Sequence, residues 1–462
     1  MLRHLNRTWE NRWLGNASVV TTLAFVIACQ SVSLSADDFS QFRGSAAGVT
    51  VDQPIPLRWS ESENIAWKIR LAGSGWSQPV VWQNRVYITA AVSSEDLRPK
   101  NFADGVKLPQ SMGLGGFTSP PKVTIDWQVQ CFDTATGQQI WAKTINSGRP
   151  KFPTHPSNTY ATESPVVDAN GVVAFFGATG TVVRLDHAGQ VCWQKELGAF
   201  ASDNGFGTGS SLAIYQDKVF VQHFTKGSSL VAGYDLQSGA EKWTYERKSK
   251  GSSWSSPLVW RNYQRAELLV AGGEEINSLD PESGKVIWRL TGAKAPTACS
   301  LAADKDRIYF GASDPFSKGP LFAMSAGASG EIAPAKKNGT FDHCDWLEAK
   351  SGPGMPSPVS DGQFVYVLDN NILRCHNAYT GKREYQTRVP DMNQVAASPL
   401  IIGDKLLALD EGGTAVLVKA GKEFEVIGGG KLDDTFWATP AVCDGAIYLR
   451  GIDSLYCVRK SP

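Results

Sequence analysis

Three tryptophans stand at equivalent places in one recurring phrase: Trp76 before Ser77-Gln78-Pro79, Trp254 before Ser255-Ser256-Pro257, and Trp437 before Ala438-Thr439-Pro440. An indole carries a broad apolar face and one N–H donor, so such a set around one end of a channel can stack a planar ligand or anchor a peptide. At strand starts the same residues can instead wedge neighbouring layers apart. His155, Asn158, Asp203 and Asn204 lie in adjoining stretches and could add hydrogen bonds. His155 has no nucleophile to serve, and the chain has no Ser-His-Asp phrase, phosphate loop or paired-carboxylate motif, so these residues predict recognition rather than catalysis. His343-Cys344-Asp345 has ligand-type side chains. Neighbours in a strand point to opposite faces, however, and no second Cys/His pair stands at ligand spacing, so no metal is expected there.

The elements that must position these residues are short strands in a repeating unit. A Ser or Thr, then Pro, then alternating Val, Leu or Ile opens eight units, at Pro79, Pro165, Leu212, Pro257, Leu301, Pro358, Pro399 and Pro440, with Leu replacing Pro twice. The starts lie 41 to 57 residues apart, and 86 apart across the first unit, which carries an insertion. A second phrase follows: Asp133 to Gly137 then Trp141, Asp235 to Gly239 then Trp243, Asp280 to Gly284 then Trp288, a shortened Asp186 to Trp193, and Asn377 to Tyr385 with Tyr for Trp. Asp or Asn opening a turn and Gly closing it is hairpin chemistry. Runs such as Val86-Tyr87-Ile88-Thr89 lie between the phrases, and helical periodicity is almost absent. Four short antiparallel strands per unit, at a spacing in the forties, predict an all-β, eight-bladed β-propeller.

The last unit stops after Leu455-Tyr456-Cys457 without an outer strand, while Asn64 to Ile69 near the N-terminus reads as an outer strand without a unit. Joining the two removes an open edge, so the N-terminal strand is expected to complete the last blade and close the ring. Strand parity then sorts the connections. Those between strands one and two, and three and four, share one face and are mostly tight turns. The long ones (residues 93–126, 146–159, 198–207, 314–320 and 333–354) are assigned to the other face, together with Trp76, Trp254 and Trp437. Long unstructured loops are uncommon and often functional, so that face is expected to bind. Trp67, Trp141, Trp193, Trp243, Trp288 and Tyr385 are expected to dock blades together.

Lys+Arg and Asp+Glu both number 45 and no basic run occurs, which excludes a nucleic-acid partner. Residues 1–36 read as an export signal: Arg3, Arg7 and Arg12, an uncharged segment from Ala17 to Ala28 too short to span a bilayer, then small residues. Val26-Ile27-Ala28-Cys29 resembles a lipobox that would leave Cys29 lipidated and tethered to a membrane, whereas cleavage near Ser35 or Ala36 would release a soluble protein. Residues 37–462 form one propeller in either reading. Of 8 cysteines, an odd number remains if Cys29 is lost or lipidated, so a full disulfide set is ruled out and Cys131 and Cys375, in matching register, read as buried small hydrophobes.

The phrase Cys131-Phe132-Asp133-Thr134-Ala135-Thr136-Gly137-Gln138-Gln139-Ile140-Trp141 resembles the tryptophan-docking motif of pyrroloquinoline-quinone repeat (quinoprotein-like) propellers. Gln41-Phe42-Arg43-Gly44, Trp59-Ser60, Asn64 to Lys68 and Gly75-Trp76-Ser77 resemble the opening of exported members of that group, and the likeness runs from Phe39 onward. Quinoprotein dehydrogenases in this superfamily clamp the quinone with a vicinal disulfide and coordinate Ca²⁺; this chain has no adjacent cysteine pair. The resemblance therefore points to the BamB-like branch without dehydrogenase motifs, a monomeric, non-catalytic periplasmic or outer-membrane-associated scaffold with protein partners and no cofactor. The alternative it leaves is a quinone-binding propeller holding pyrroloquinoline quinone with Ca²⁺.

Overall fold

The recurring Asp-x-x-Ser/Thr-Gly phrase builds the same turn wherever it occurs. The Asp133 carboxylate accepts from the Ala135 and Thr136 N–H groups and the Thr136 hydroxyl at 2.8–3.0 Å, and Asp235 repeats the pattern with Gln237 and Ser238. Gly137 and Gly239 then close the turns at φ 73° and 67°, the left-handed region that favours glycine. In the computed structural model, which describes residues 39–45, 47–100, 119–248, 250–313 and 317–460, these turns link strands three and four of successive sheets. Cys29 and both cleavage positions lie outside the described residues.

The strands form eight sheets, each built on four antiparallel strands. Blades 1 to 7 span residues 80–148, 166–196, 213–246, 258–291, 302–348, 359–388 and 400–431. Blade 8 joins Ala441–Cys443, Ala446–Arg450 and Ser454–Val458 to the N-terminal strand Ile65–Arg70, which pairs antiparallel with Ser454–Val458. Among the described residues the one helical element is a 3-10 turn at Asp203–Gly205. The core lies between blades. Tyr87, Val129 and Cys131 of blade 1 meet Val172, Ala174 and Val183 of blade 2, and Leu407 of blade 7 shares a cluster with Tyr448 of blade 8 and Val86 of blade 1.

The tryptophan series follows from the turns. The indole N–H of Trp67, Trp141, Trp193 and Trp243 donates to the carbonyl of the second turn residue in the following blade: Thr134, His187, Leu236 and Pro281, at 2.9–3.0 Å. Each indole also lies over the closing glycine; a Cβ on Gly284 would stand 2.5 Å from Trp243. Trp288 is fully buried and packs with Leu301, Ile308 and Phe310 of blade 5, but its hydrogen bond departs from the series. Blade 5 has no such turn, because residues 326–343 replace it, so Trp288 bonds within its own blade to Glu267 Oε2 at 2.7 Å. Trp346, outside the sequence-derived set, docks instead on blade 6 through Ala378 O at 2.8 Å and Gly381. Tyr385 packs edge-on to Phe424 of blade 7 with its buried hydroxyl unpartnered. Blade 7 has glycines, Gly428 to Gly430, where a docking indole would stand, and Trp59 lies against Gly430.

The Ser/Thr before each Pro or Leu also acquires a physical role. The backbone N–H of Gln78 donates to Ser164 Oγ, Ser164 to Ser211, Ser211 to Ser256, Ser256 to Ser300, Ser300 to Ser357, Ser357 to Ser398 and Ser398 to Thr439, all at 2.8–3.0 Å. These seven bonds make a belt from blade 1 to blade 8, all running in one direction.

The axis inside the belt is filled by the chain itself. Phe39 pairs antiparallel with Val81 of blade 1, Ser40 O accepts from Val167 N of blade 2, and Gln41 Oε1 accepts from Ile214 N of blade 3. Val49–Thr50 then runs parallel to Leu400–Ile402 of blade 7. The segment therefore enters and leaves by the tight-turn face. At its apex Arg43, 2% exposed, donates to the carbonyls of Leu301 and Pro358 in blades 5 and 6. Burial lowers its pKa to about 10. Arg43→Ala should cost about 2–4 kcal/mol by denaturant unfolding: two buried carbonyls lose donors, and relief of a buried charge offsets part of that.

The assignment of long loops to one face needs one correction. Residues 326–343 connect strands three and four of blade 5 and so start from the tight-turn face. They add Gly330–Ile332 as a parallel fifth strand to the rim of blade 4, and Asn338 N reaches Gly292 O at the far end of that blade's outer strand, 2.9 Å away. An insertion that climbs a blade cannot be placed by parity.

Candidate functional site

Two arms of the long-loop face, residues 149–162 and 198–210, gather most of the sequence-derived candidates. Pro and Gly break strand pairing along both, and side chains take up the freed backbone groups. Asn158 Nδ2 donates to Phe206 O and Thr208 O at 2.8 and 3.1 Å, stitching one arm to the other. His155 shares a 2.7 Å hydrogen bond with Ser157 Oγ and meets Phe206 edge-on at 5.3 Å. Phe206 contacts Trp254 at 5.6 Å, and the Trp254 indole donates to Gly207 O at 2.9 Å. Trp76 donates to Ser157 O at 2.9 Å and stacks on Trp437 at 5.8 Å. A continuous arc thus runs Trp437, Trp76, Ser157, His155, Phe206, Trp254 across blades 8, 1, 2, 3 and 4.

The three indoles do not form one open rim. Trp76 is buried, and Trp254 and Trp437 are half-buried with N–H groups bonded to Gly207 and Glu411. Asp203 is held by Ser252, accepting from its N–H at 2.6 Å and donating its own N–H to Ser252 Oγ at 2.7 Å. Asn204 is exposed at φ 54°, a loop tip. His155 is pulled below the usual imidazole range by burial. Asp345 of the His343-Cys344-Asp345 run pairs with Arg307 at 2.6 Å.

Between the arms lies a cleft enclosing about 310 Å³ of free space, its open mouth included, lined by Phe152, Pro153, Thr154, Tyr160, Phe200 and Thr208, among others. Two groups behind it escaped the sequence reading. Glu163 is 1% exposed, its Oε1 lacks a hydrogen-bond partner, and burial raises its pKa to about 7. His223, tilted against Phe200 at 5.7 Å, has both ring nitrogens unpartnered and is lowered to about 4 by burial. A signal for Glu163 was present: the other units carry Ser77, Ser210, Ser255, Cys299, Pro356, Ala397 and Ala438 at that position.

Between the unfolded carboxyl's pKa near 4.3 and the folded value of about 7, the native state holds the extra proton. Stability therefore falls as pH rises through that window. Glu163→Gln should remove this slope, so the stability of the variant relative to the parent should improve by about 3 kcal/mol from pH 4.5 to pH 7 in urea titrations.

Among the described residues, no group of three or more His, Cys, Asp or Glu is placed to hold a metal, and all seven described cysteines are free. Propeller blades docked by tryptophan on Asp-to-Gly turns define a quinoprotein-like repeat propeller. The family model of outer membrane protein assembly factor BamB matches residues 126–383, more than half of the sequence, and the chain belongs to that family. BamB from Moraxella catarrhalis is 15% identical, with TM-score 0.54 over 86% of this chain and 97% of that one. Quinohemoprotein alcohol dehydrogenase from Comamonas testosteroni is 14% identical, with TM-score 0.58 over 92% of this chain and 81% of that one. At such identities both show the fold alone. No curated protein matches the sequence.

Proposed function

We propose that this chain is an exported, non-catalytic propeller that binds a protein partner of the cell envelope through its long-loop face, in the service of outer-membrane protein assembly. The observation that carries the reading is the cleft-bearing arc between residues 149–162 and 198–210, on the face where long loops converge. The family fits that role. The axis, where a planar cofactor could otherwise lie, is taken by Phe39–Thr50, so recognition is left to the surface. A signal or lipid tether ahead of residue 37 is part of the same proposal.

The test is capture of envelope proteins by the parent, by a Phe206→Ala/Trp254→Ala double variant, and by a chain with residues 101–118 replaced by a short Gly/Ser bridge. Arg98 stays in place because it pairs with Asp453. Both variants should fold and lose the partner. Loop closure changes by only about 0.6 kcal/mol per halving of length. Retention of every partner by both variants, with loss after substitutions at Asn84, Asp361 and Asp404 on the other face, would reverse the assignment. Pyrroloquinoline quinone with Ca²⁺ should neither bind nor support reduction of an artificial acceptor.

A further inference from the structure

We propose that the loop-face cleft is a subsite for a single cationic side chain, lysine or arginine, of the partner, with Glu163 as its counter-charge; the proposal rests on the loop face being the partner-binding face. Glu163 stands immediately before the belt residue Ser164, and its backbone carbonyl is taken by Thr89 Oγ1 at 3.0 Å. Its side chain turns into the space left by Gly177, where a Cβ would lie 2.6 Å from both Glu163 Oε1 and Thr208 Oγ1. Thr208 and Ala178, the neighbour of Gly177, form the cleft wall. The carboxyl is therefore one hydroxyl away from the cleft.

Among the described residues, other buried carboxylates have donors. Glu267 accepts from Arg265, Asn262, Ser278 and Trp288, Asp410 from the N–H groups of Asn393 and Thr414, and Glu275 from Asn277. The largest influences on Glu163 are burial, the Thr208 hydroxyl and backbone N–H groups, and among the described residues no Lys or Arg is shown paired with it. A buried carboxyl without a cation beside it holds its proton more tightly, and an arriving cation would favour the ionised form.

The cleft supplies what such a cation needs. Phe152, Tyr160 and Phe200 line it, and aromatic rings attract ammonium and guanidinium groups. Thr154, Thr159, Ser202 and Thr208 carry hydroxyls that can accept, and among the described residues no Lys or Arg lines the walls. A single carboxylate with hydroxyls and no further acidic or imidazole ligand describes a site for an organic cation, not for a divalent metal.

The experiment titrates residues 37–462 with n-butylammonium chloride, with 1-pentanol as the neutral control, by calorimetry at pH 6.5 in two buffers of different ionisation enthalpy. Butylammonium should bind at least tenfold more tightly than pentanol and release a proton, because pairing ionises the carboxyl. Glu163→Gln should abolish proton release and the preference, and Glu163→Asp should retain part of both. Gly177→Ala, which fills the gap from the opposite side, should weaken binding if Glu163→Gln folds poorly. Equal binding of pentanol, binding without proton release, or displacement of butylammonium by Ca²⁺ would each overturn the proposal. If the probe fails to bind while Phe206→Ala/Trp254→Ala still abolishes capture, the subsite falls and the loop-face reading stands. If the probe binds as expected while that double variant captures normally, the loop-face reading falls and takes the partner side chain with it.

Discussion

A chain lacking residues 60–71 should lose cooperative unfolding and aggregate at concentrations where the parent is clear. The deletion strips Ile65–Arg70 from Ser454–Val458 and leaves blade 8 with a row of unpaired N–H and C=O groups. It also removes Trp67, whose indole bonds to Thr134 O in blade 1 and covers Gly137. The loss should exceed the roughly 5–15 kcal/mol that separates a native protein from its unfolded chain. Light scattering and thermal melts give the answer. A soluble variant melting in one sharp transition at the parental temperature would mean that the N-terminal strand is dispensable.

Replacing Trp243 by alanine should destabilise the protein by about 3–5 kcal/mol. The ring is 8% exposed, stacks on Phe220 at 5.6 Å and caps Gly284 of the next blade. Its loss opens a cavity between blades 3 and 4 and strands Pro281 O without its donor. Gly284→Ala should weaken the same joint from the other side, since the residue sits at φ 69° with the indole 2.5 Å from any Cβ. The double variant should then cost less than the two losses added, because both act on one contact. Trp288→Phe gives a contrast: it should unbalance Glu267 inside blade 4 while breaking no hydrogen bond to blade 5. A loss below about 1 kcal/mol for Trp243→Ala would place the indole at the surface instead.

The repeat was legible because its two phrases are local chemistry. Asp133, Asp235 and Asp280 announce turns within five residues, and the Ser-Pro starts announce strands. The hydrogen bond across a joint was legible only where both blades kept the phrase: Trp288 meets a blade without the turn, and Trp346 follows an insertion instead of a turn of its own. Residues 326–343 hide blade 5's missing turn inside an insertion, and no local pattern reports that an indole has lost its dock. The axial segment was illegible for a different reason. Arg43 reaches Leu301 and Pro358, contacts across more than 250 positions that no periodicity encodes. Of the site, His155, Asn158 and Trp254 were found as separate residues, while Phe206, which joins them, looked like an ordinary loop aromatic. Glu163 was visible as the one acidic residue at a position otherwise held by small ones, and burial alone turns that oddity into chemistry.

The pairing of Ile65 with Val458 sets a timetable. Roughly four hundred residues must be made between the two partners, and at about 5–20 residues per second the first strand waits on the order of 20–80 s for the last. Blades 1 to 7 can assemble pairwise as they appear, but the opening strand cannot be covered until the final one exists. A product truncated anywhere before Ser454 keeps an edge open at both termini, a standing target for holdases and proteases. Chain order thus ties the covering of Ile65–Arg70 to the making of Ser454–Val458, almost the whole propeller later.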